Sequence, residues 1–224
     1  IRSMREKYEK LTSVNPAVKV LEPHYSKDNK AVRFGFLKGK TLAEILGEQI
    51  TGKKAPVEAL KAAMDRVFGQ AVLKKEPFTP TDQFKEVFGD SEEILSLQDT
   101  SYEVSNIDGL FENLMETQDG LYCLDYEWVF DFPIPAGFIR YRNLVYFYYK
   151  YEGLLDYENA VQFLSEFGMD EKLAEIYASM EVAFQTWVHG DGTQGYMGNY
   201  KQRLVTLEEL KAQEKELAQA RERI

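Results

Sequence analysis

The sequence predicts a mixed α+β fold in which strand-forming and helix-forming stretches are segregated along the chain. Three observations predict it. An amphipathic helical stretch and two alternating apolar runs open the chain, short strand-like runs cluster in the middle, and helical periodicity takes over after Pro133 and Pro135. With 224 residues, 44% of them hydrophobic, the chain can bury one substantial core or two small ones, so disorder is not its default state.

Residues 1–12 place Ile1, Met4, Tyr8 and Leu11 on one helical face, and Pro16 closes that region. "AVKVLEPHY" and "KAVRFGFL" then alternate as strands do, with "SKDNK" as turn material between them, so a hairpin is expected. In "KGKTLAEILGEQI", Thr41 with Glu44 three residues on is the signature of a capping box opening a helix. A further helix is expected from Ala55 to Phe68, whereas Pro77 and Pro80 interrupt the stretch from Leu73 to Asp99, which receives no assignment. "SYEVSN", "NLMET" and "LYCLDYEWV" read as strands, and Gln118-Asp119-Gly120 between the last two is a hairpin signal. "FPIPAG" must be extended around its prolines. Helices follow from Phe138 to Tyr151, Asp156 to Phe167 and Asp170 to Val188. In the last segment Leu210, Leu217 and Ile224 stand seven apart, a seam that can seed a coiled coil and hence an oligomer, although Glu214 and Arg221 interrupt its partner positions. A solitary solvated helix fits that pattern equally well.

Charge and composition exclude some functions. A formal net charge of −10 opposes binding to phosphate backbones or anionic lipid surfaces, so no nucleic-acid partner is expected. Cys123 is the one cysteine, which rules out an intrachain disulfide and fits a reducing, cytoplasmic setting. No apolar run approaches the roughly 20 residues that span a bilayer, and "IRSMREKYEKL" lacks the apolar stretch of a signal peptide. The absence of a starting Met leads us to expect a piece of a longer protein. No internal repeat or low-complexity tract is present.

The central stretch "NIDGLFENLMETQDGLYCLDYEWVFDFPIP" places three oxygen-bearing side chains, Asp108, Asn113 and Asp125, among apolar residues. Phosphoryl transfer from ATP needs an Asp that receives or orients the nucleophile's proton, and two oxygen ligands that hold Mg²⁺ against the phosphates. Asp-x-x-x-x-Asn supplies one of each from a single loop, here Asp108 to Asn113. Asp125 follows at the end of an apolar run, with room between for one tight hairpin. Two carboxylates about 4 Å apart repel by about 4 kcal/mol at an effective dielectric of about 20, so a cation or a proton must offset such a pair. The plain alternative is that Asp108 and Asn113 shape a turn and Asp125 ends a strand.

With "LDYEW" following "NIDGLFENLM", the chain resembles the kinase-like superfamily in its small-molecule branch, which includes aminoglycoside phosphotransferases and choline kinases. "LDYEW" is similar to the "IDFEY" or "IDWE" form those enzymes show. "VRFGFLKGKTLAEIL" is similar to their strand, hinge and following helix, and "IRSMREKYEKL" lies where their C-helix stands. More narrowly, "NIDGLFENLM" with "DYEWVFDFPIPAGFIRYR" resembles kinase-like modules attached to bacterial methyltransferases and glycosyltransferases of surface-polysaccharide synthesis. The resemblance implies a protein-kinase-like fold: a partial N-lobe and hinge in residues 1–40, a mostly helical C-lobe in 41–200 and a C-terminal helix in 201–224. It implies Asp108 as catalytic base, Asn113 and Asp125 as Mg²⁺ ligands, and backbone groups near Phe36, Leu37 and Lys38 at the adenine of ATP. Glu127 would add an outer contact to the metal or simply face solvent. The acceptor would be a hydroxyl on a small molecule or glycan. Asn106-Ile107 stand where many relatives have His-Gly or His-Asn, and the glycine-rich loop and its strand Lys belong upstream of Ile1. Glu6 or Glu9 would pair with that Lys, or, as the plainer reading, each belongs to a charged helix face. The competing reading is a non-catalytic pseudokinase scaffold for an attached transferase.

Other features fit plainer roles. His189-Gly190-Asp191 resembles a catalytic tripeptide, but Tyr196 holds the position five after Asp191 and no Asp follows, so a glycine-rich turn is expected. His24 has no partner at metal-ligand spacing, and Cys123 reads as a core filler. The aromatics of "FIRYRNLVYFYYKYEG" fit a helix core better than a sugar-stacking platform. Arg140 and Arg142 are suited either to an anionic acceptor or to acidic partners on the protein itself, and the sequence leaves both open.

Overall fold

Helix α1 (Arg2–Val14) forms over the amphipathic stretch and buries Leu11, while Glu6 and Glu9 stay exposed. The computed structural model describes residues 2–28, 30–69, 75–102 and 104–190, and the fold within them is mixed α+β. The expected C-terminal helix and coiled-coil seam of 201–224 lie outside the described residues, as does the turn beyond Gly190. The chain groups into two units, one ending at Glu181 and one beginning at Val182, of which residues 182–190 are described as the end of the last helix.

The first apolar run is not one strand. Pro23 has no N–H for a ladder, and the run divides around it into β1 (Lys19–Val20) and β2 (His24–Tyr25). The expected hairpin exists as a short one, in which β2 pairs antiparallel with β3 (Val32–Arg33), His24 opposite Arg33 and Tyr25 opposite Val32. Residues 34–38 run on outside any strand to β4 (Lys40–Thr41) and α2 (Leu42–Gly47). The capping box is complete: the Glu44 N–H donates to Thr41 Oγ1 at 3.2 Å, and the Thr41 N–H donates to Glu44 Oε2 at 2.7 Å. Helix α3 (Val57–Phe68) buries Leu60, Met64, Val67 and Phe68.

The stretch without an assignment contains β5 (Lys75–Pro77) and two short helices, α4 (Asp82–Phe88) and α5 (Glu92–Leu95). Their start signals were in the sequence: the Thr81 and Ser91 hydroxyls accept the N–H groups of Phe84 and Ile94 as N-caps. α4 buries Phe84, Val87 and Phe88 at i, i+3 and i+4, a helical spacing carried over only seven residues. Phe84 and Phe88 lie in an aromatic cluster with Phe78 and Phe138, ring centroids 5.0 to 5.4 Å apart.

After β6 (Thr100–Tyr102), which pairs with β5, come β7 (Ser105–Asn106), β8 (Leu114–Thr117), β9 (Gly120–Cys123) and β10 (Val129–Phe130). The main sheet has the order β1-β9-β8-β4. Its centre is the expected β8–β9 hairpin, whose turn ends at Gly120 with φ +121°, a conformation side chains with a Cβ rarely adopt. β4 lies antiparallel to β8, and β1 lies parallel to β9 with Lys19 opposite Tyr122 and Val20 opposite Cys123. The strand expected over "LYCLDYEWV" divides: β9 ends at Cys123, and Val129 belongs to β10. β7 and β10 pair separately.

Helix α6 (Ala136–Tyr151) starts on Pro135, with the Gly137 N–H donating to Asp99 Oδ2 at 2.8 Å. Its Phe138, Tyr141, Phe147 and Tyr148 are buried, so the aromatic run is core, with Tyr149 exposed. The Tyr151 hydroxyl donates to the Ala43 carbonyl at 2.9 Å and ties α6 to α2. The helix expected from Asp156 is shorter, α7 (Ala160–Ser165), because Asn159 caps it by accepting the Gln162 N–H at 2.9 Å. Helix α8 (Glu171–His189) completes the described chain. No helix among the described residues is long and apolar enough to cross a membrane.

Candidate functional site

The β8–β9 hairpin has its turn at one end and, at the other, the residues that flank Leu114 and Cys123. The Leu124 N–H donates to the Asn113 carbonyl at 2.8 Å, extending the pairing by one step and delivering Asn113 and Asp125 to the same end of the sheet. Asp108 arrives there from β7. Ile107 donates its N–H to the Trp128 carbonyl at 3.1 Å, and the Trp128 N–H donates to Asp108 Oδ2 at 2.6 Å. The loop that carries Asp108 is therefore laced to the segment that carries Asp125.

Within the loop, Asn106 Oδ1 accepts the Asp108 N–H at 3.1 Å, and Asn113 Nδ2 donates to the Asp108 carbonyl at 2.9 Å. An amide that donates through nitrogen presents its oxygen as an acceptor, and no hydrogen bond among the described residues reaches Asn113 Oδ1. Asp125 is exposed; its Oδ1 accepts the Glu127 N–H at 3.2 Å. Asp108 is half-buried, and its carboxyl is pushed up to about 6. Burial is the largest cause, the charges of Asp125 and Glu127 add to it, and the Trp128 N–H and Arg142 pull the other way.

The position two before Asp108 is braced without a histidine. Asn106 Nδ2 donates to the Asp125 carbonyl and to Cys123 Sγ, each at 3.3 Å, so one side chain joins the two halves of the site. Cys123 is core, as expected, and also part of this brace: its thiol, pushed up to about 12 chiefly by burial, donates to the Asp125 carbonyl at 3.1 Å.

Two residues of α6 hold the loop from beneath. Arg142 takes the acidic partner on the protein itself that was one of its two readings, while its grip on the loop and the role of Asn143 were missed. Arg142, buried, donates to the Ile107 carbonyl through Nη1 and to Glu181 Oε2 through Nε at 2.7 Å. The Tyr146 hydroxyl steadies the same carboxylate, donating to Glu181 Oε1 at 3.1 Å. Asn143, also buried, accepts the Phe111 N–H at 2.9 Å and donates to the Gly109 carbonyl at 3.3 Å. The available signal was an Arg-Asn pair inside an aromatic helix at positions its periodicity buries, where polar groups require partners.

Phe36 and Lys38 are exposed, Phe36 almost completely at 95%, and Leu37 is half-buried. No backbone hydrogen bond from residues 35–38 is found among the described residues, so their N–H and C=O groups are open to an outside partner. Phe34 stands edge-on to Tyr126 at 6.3 Å, which sets this segment beside the residue after Asp125. No described contact joins residues 36–38 to Asp108 or Asn113. Glu127 is exposed, and its carbonyl accepts from Lys7 Nζ of α1. His24 is exposed in β2.

No group of three or more His, Cys, Asp or Glu able to hold a metal occurs among the described residues. The donor set here is different in kind: one exposed carboxylate, one amide oxygen, and a second carboxylate whose proton affinity the first one raises. Such a set suits a hard divalent cation that completes its shell with water or phosphate oxygens. Compared with known proteins, the chain matches no family model, no curated protein and no solved structure.

Proposed function

We propose that the chain is a kinase-like module that transfers a phosphoryl group from ATP, with Mg²⁺, to a hydroxyl on a small molecule or glycan. The observation that carries this reading is Asp108: a carboxyl raised to about 6 by burial and by Asp125, bonded through its carbonyl to the very asparagine that offers a free amide oxygen. A carboxyl in that range takes up a hydroxyl proton more readily than an ordinary Asp and is still ionised at neutral pH. The Trp128 N–H holds Oδ2, which leaves Oδ1 for the acceptor hydroxyl. Asn113 Oδ1 and the Asp125 carboxylate would hold Mg²⁺, and the exposed backbone of residues 36–38 would meet adenine. Bound magnesium would supply charge neutralisation on the phosphates. Positioning does the rest: Asn106, Arg142 and Asn143 fix the loop from three sides, so the base reaches its partner without reorganisation.

The test uses the full-length protein, ATP and Mg²⁺. Mg·ATP is expected to raise the melting temperature, by the equivalent of about 2.7 kcal/mol at a hundredfold excess over Kd, and Asp125→Asn removes the magnesium-dependent part. Asp108→Ala keeps nucleotide binding and loses ATP-dependent phosphorylation. Absence of any nucleotide effect would leave the scaffold reading in its place.

A further inference from the structure

A recess of about 480 Å³ opens between α3, the segment Leu97–Asp99, the start of α6 and the start of α8. None of the residues from Asn106 to Asn113 or from Asp125 to Trp128 lines it. Its volume is in the range of small-molecule sites. Met64, Leu144 and Met169 give it a buried apolar floor, two of them thioethers that adapt to an irregular ligand.

The rim is polar and carries two cations, Arg140 and Lys61, and two carboxylates, Asp65 and Asp99. Arg140 is partly exposed and meets Asp65 at 3.5 Å, but the Asp65 side chain is 72% exposed, so the pair is loose and solvated. Lys61 shares the rim and contacts only the still more exposed Glu58. Lys75 stands outside the lining; burial and then Arg140 lower its proton affinity, while Asp99 and Asp65 pull the other way. Arg140 and Lys61 are thus the two cations the recess offers, both loosely paired. The other lining carboxylate, Asp99, is already engaged by the N–H groups of Gly137 at 2.8 Å and Thr100 at 2.7 Å and by the Tyr177 hydroxyl at 3.1 Å. That clamp needs a glycine, because a Cβ on residue 137 would stand 2.1 Å from the Tyr177 oxygen.

We propose that this recess is a second ligand site, taking a small organic anion whose phosphate or carboxylate is held by Arg140 and Lys61 and whose apolar body lies on Met64 and Met169. The planar guanidinium matches either head group with two parallel hydrogen bonds, and exchanging a solvated Asp65 for a sheltered anion is favourable. The site is independent of the phosphoryl-transfer reading and survives its failure.

The chain has six methionines, so methyl-labelled Met gives a small spectrum in which Met64 and Met169 report on the floor. The probes are phenyl phosphate, phenylacetate and the neutral benzyl alcohol. At least one anion is expected to shift Met64 and Met169 saturably at millimolar concentration, benzyl alcohol is not, and the tighter anion identifies the head group. Arg140→Gln weakens that binding by about tenfold or more, and Asp65→Asn, which frees Arg140 and removes a like charge, tightens it. Both positions are on the rim, so neither change threatens folding. Asp125→Asn leaves the titration unchanged. No saturable shift with either anion, or an affinity indifferent to Arg140→Gln, overturns the site.

Discussion

Asp108 is held as a charge in a place that disfavours charge, and the cost has a definite pH dependence. An unfolded Asp titrates near 3.8, and the folded carboxyl near 6. The native state therefore binds the proton more tightly, a contribution to stability that is complete below about pH 3.8 and is lost as pH rises through 6. Asp108→Asn keeps an oxygen for the Trp128 N–H and removes the charge. It is expected to be nearly neutral at pH 4 and to stabilise by about 1–3 kcal/mol at pH 8, a range already reduced for partial exposure. Urea unfolding at the two pH values measures it, and a loss of stability at pH 8 would contradict burial as the dominant cause. At Arg142 the argument reverses, because a buried guanidinium is satisfied by the half-buried Glu181 and by the Ile107 carbonyl. Arg142→Met takes the guanidinium from Glu181, which keeps the Tyr146 hydroxyl, and the donor from the Ile107 carbonyl, and is expected to cost about 1–3 kcal/mol. Adding Glu181→Leu removes the half-buried charge that has lost its counter-ion, so the double variant is expected to be more stable than Arg142→Met alone.

Among the elements, α2 shows how a local signal acquires a distant consequence. It is six residues long, too short to persist by itself, and its first turn carries the Ala43 N–H, which donates to the Phe111 carbonyl at 3.0 Å. Thr41→Ala opens the capping box and is expected to cost about 1 kcal/mol. It also speeds amide exchange at Ala43, and an unchanged rate there would detach the cap from the loop. Signals of this kind were legible before the structure: Thr41 with Glu44, the turn at Gly120, the helix after Pro135. The spacing of Asp108, Asn113 and Asp125 was legible for the same reason, since one loop and one tight hairpin join them. What the sequence hid is long-range. Nothing near Lys19 announces that it will lie opposite Tyr122, and nothing near Asp108 announces Arg142 and Asn143, whose polarity merely demanded some partner. The short helices α4 and α5 were hidden differently, by proline spacing that reads as interruption and by lengths of two turns or less.

At the scale of the whole chain, the main sheet joins segments far apart in sequence. Its central hairpin comes from residues 114–123, and both outer strands come from residues 19–41. Strand β1 covers the outer edge of β9, the Leu21 N–H donates to the Cys123 carbonyl at 3.1 Å, and the Tyr126 hydroxyl donates back to the Leu21 carbonyl at 2.8 Å. These bonds end on the residues that brace Asp125. The first third of the chain is thus expected to fold in one step with the site, although closing a loop of about a hundred residues adds only slowly to the entropic cost of longer loops. A chain beginning at Gly39 loses β1, α1 and the cover over β9, and leaves Val18's and Leu11's former neighbours in water. It is expected to retain helical circular dichroism from α6 and α8 but to lose protection of the Leu124 and Trp128 amides and to expose apolar surface to a hydrophobic dye. In the intact chain, the amides of Leu21, Leu124 and Trp128 are expected to exchange with one common opening free energy. Should the shortened chain keep Leu124 and Trp128 protected, the N-terminal strands are an attachment to a site that stands without them, and the parallel pairing has no part in holding Asp125 in place.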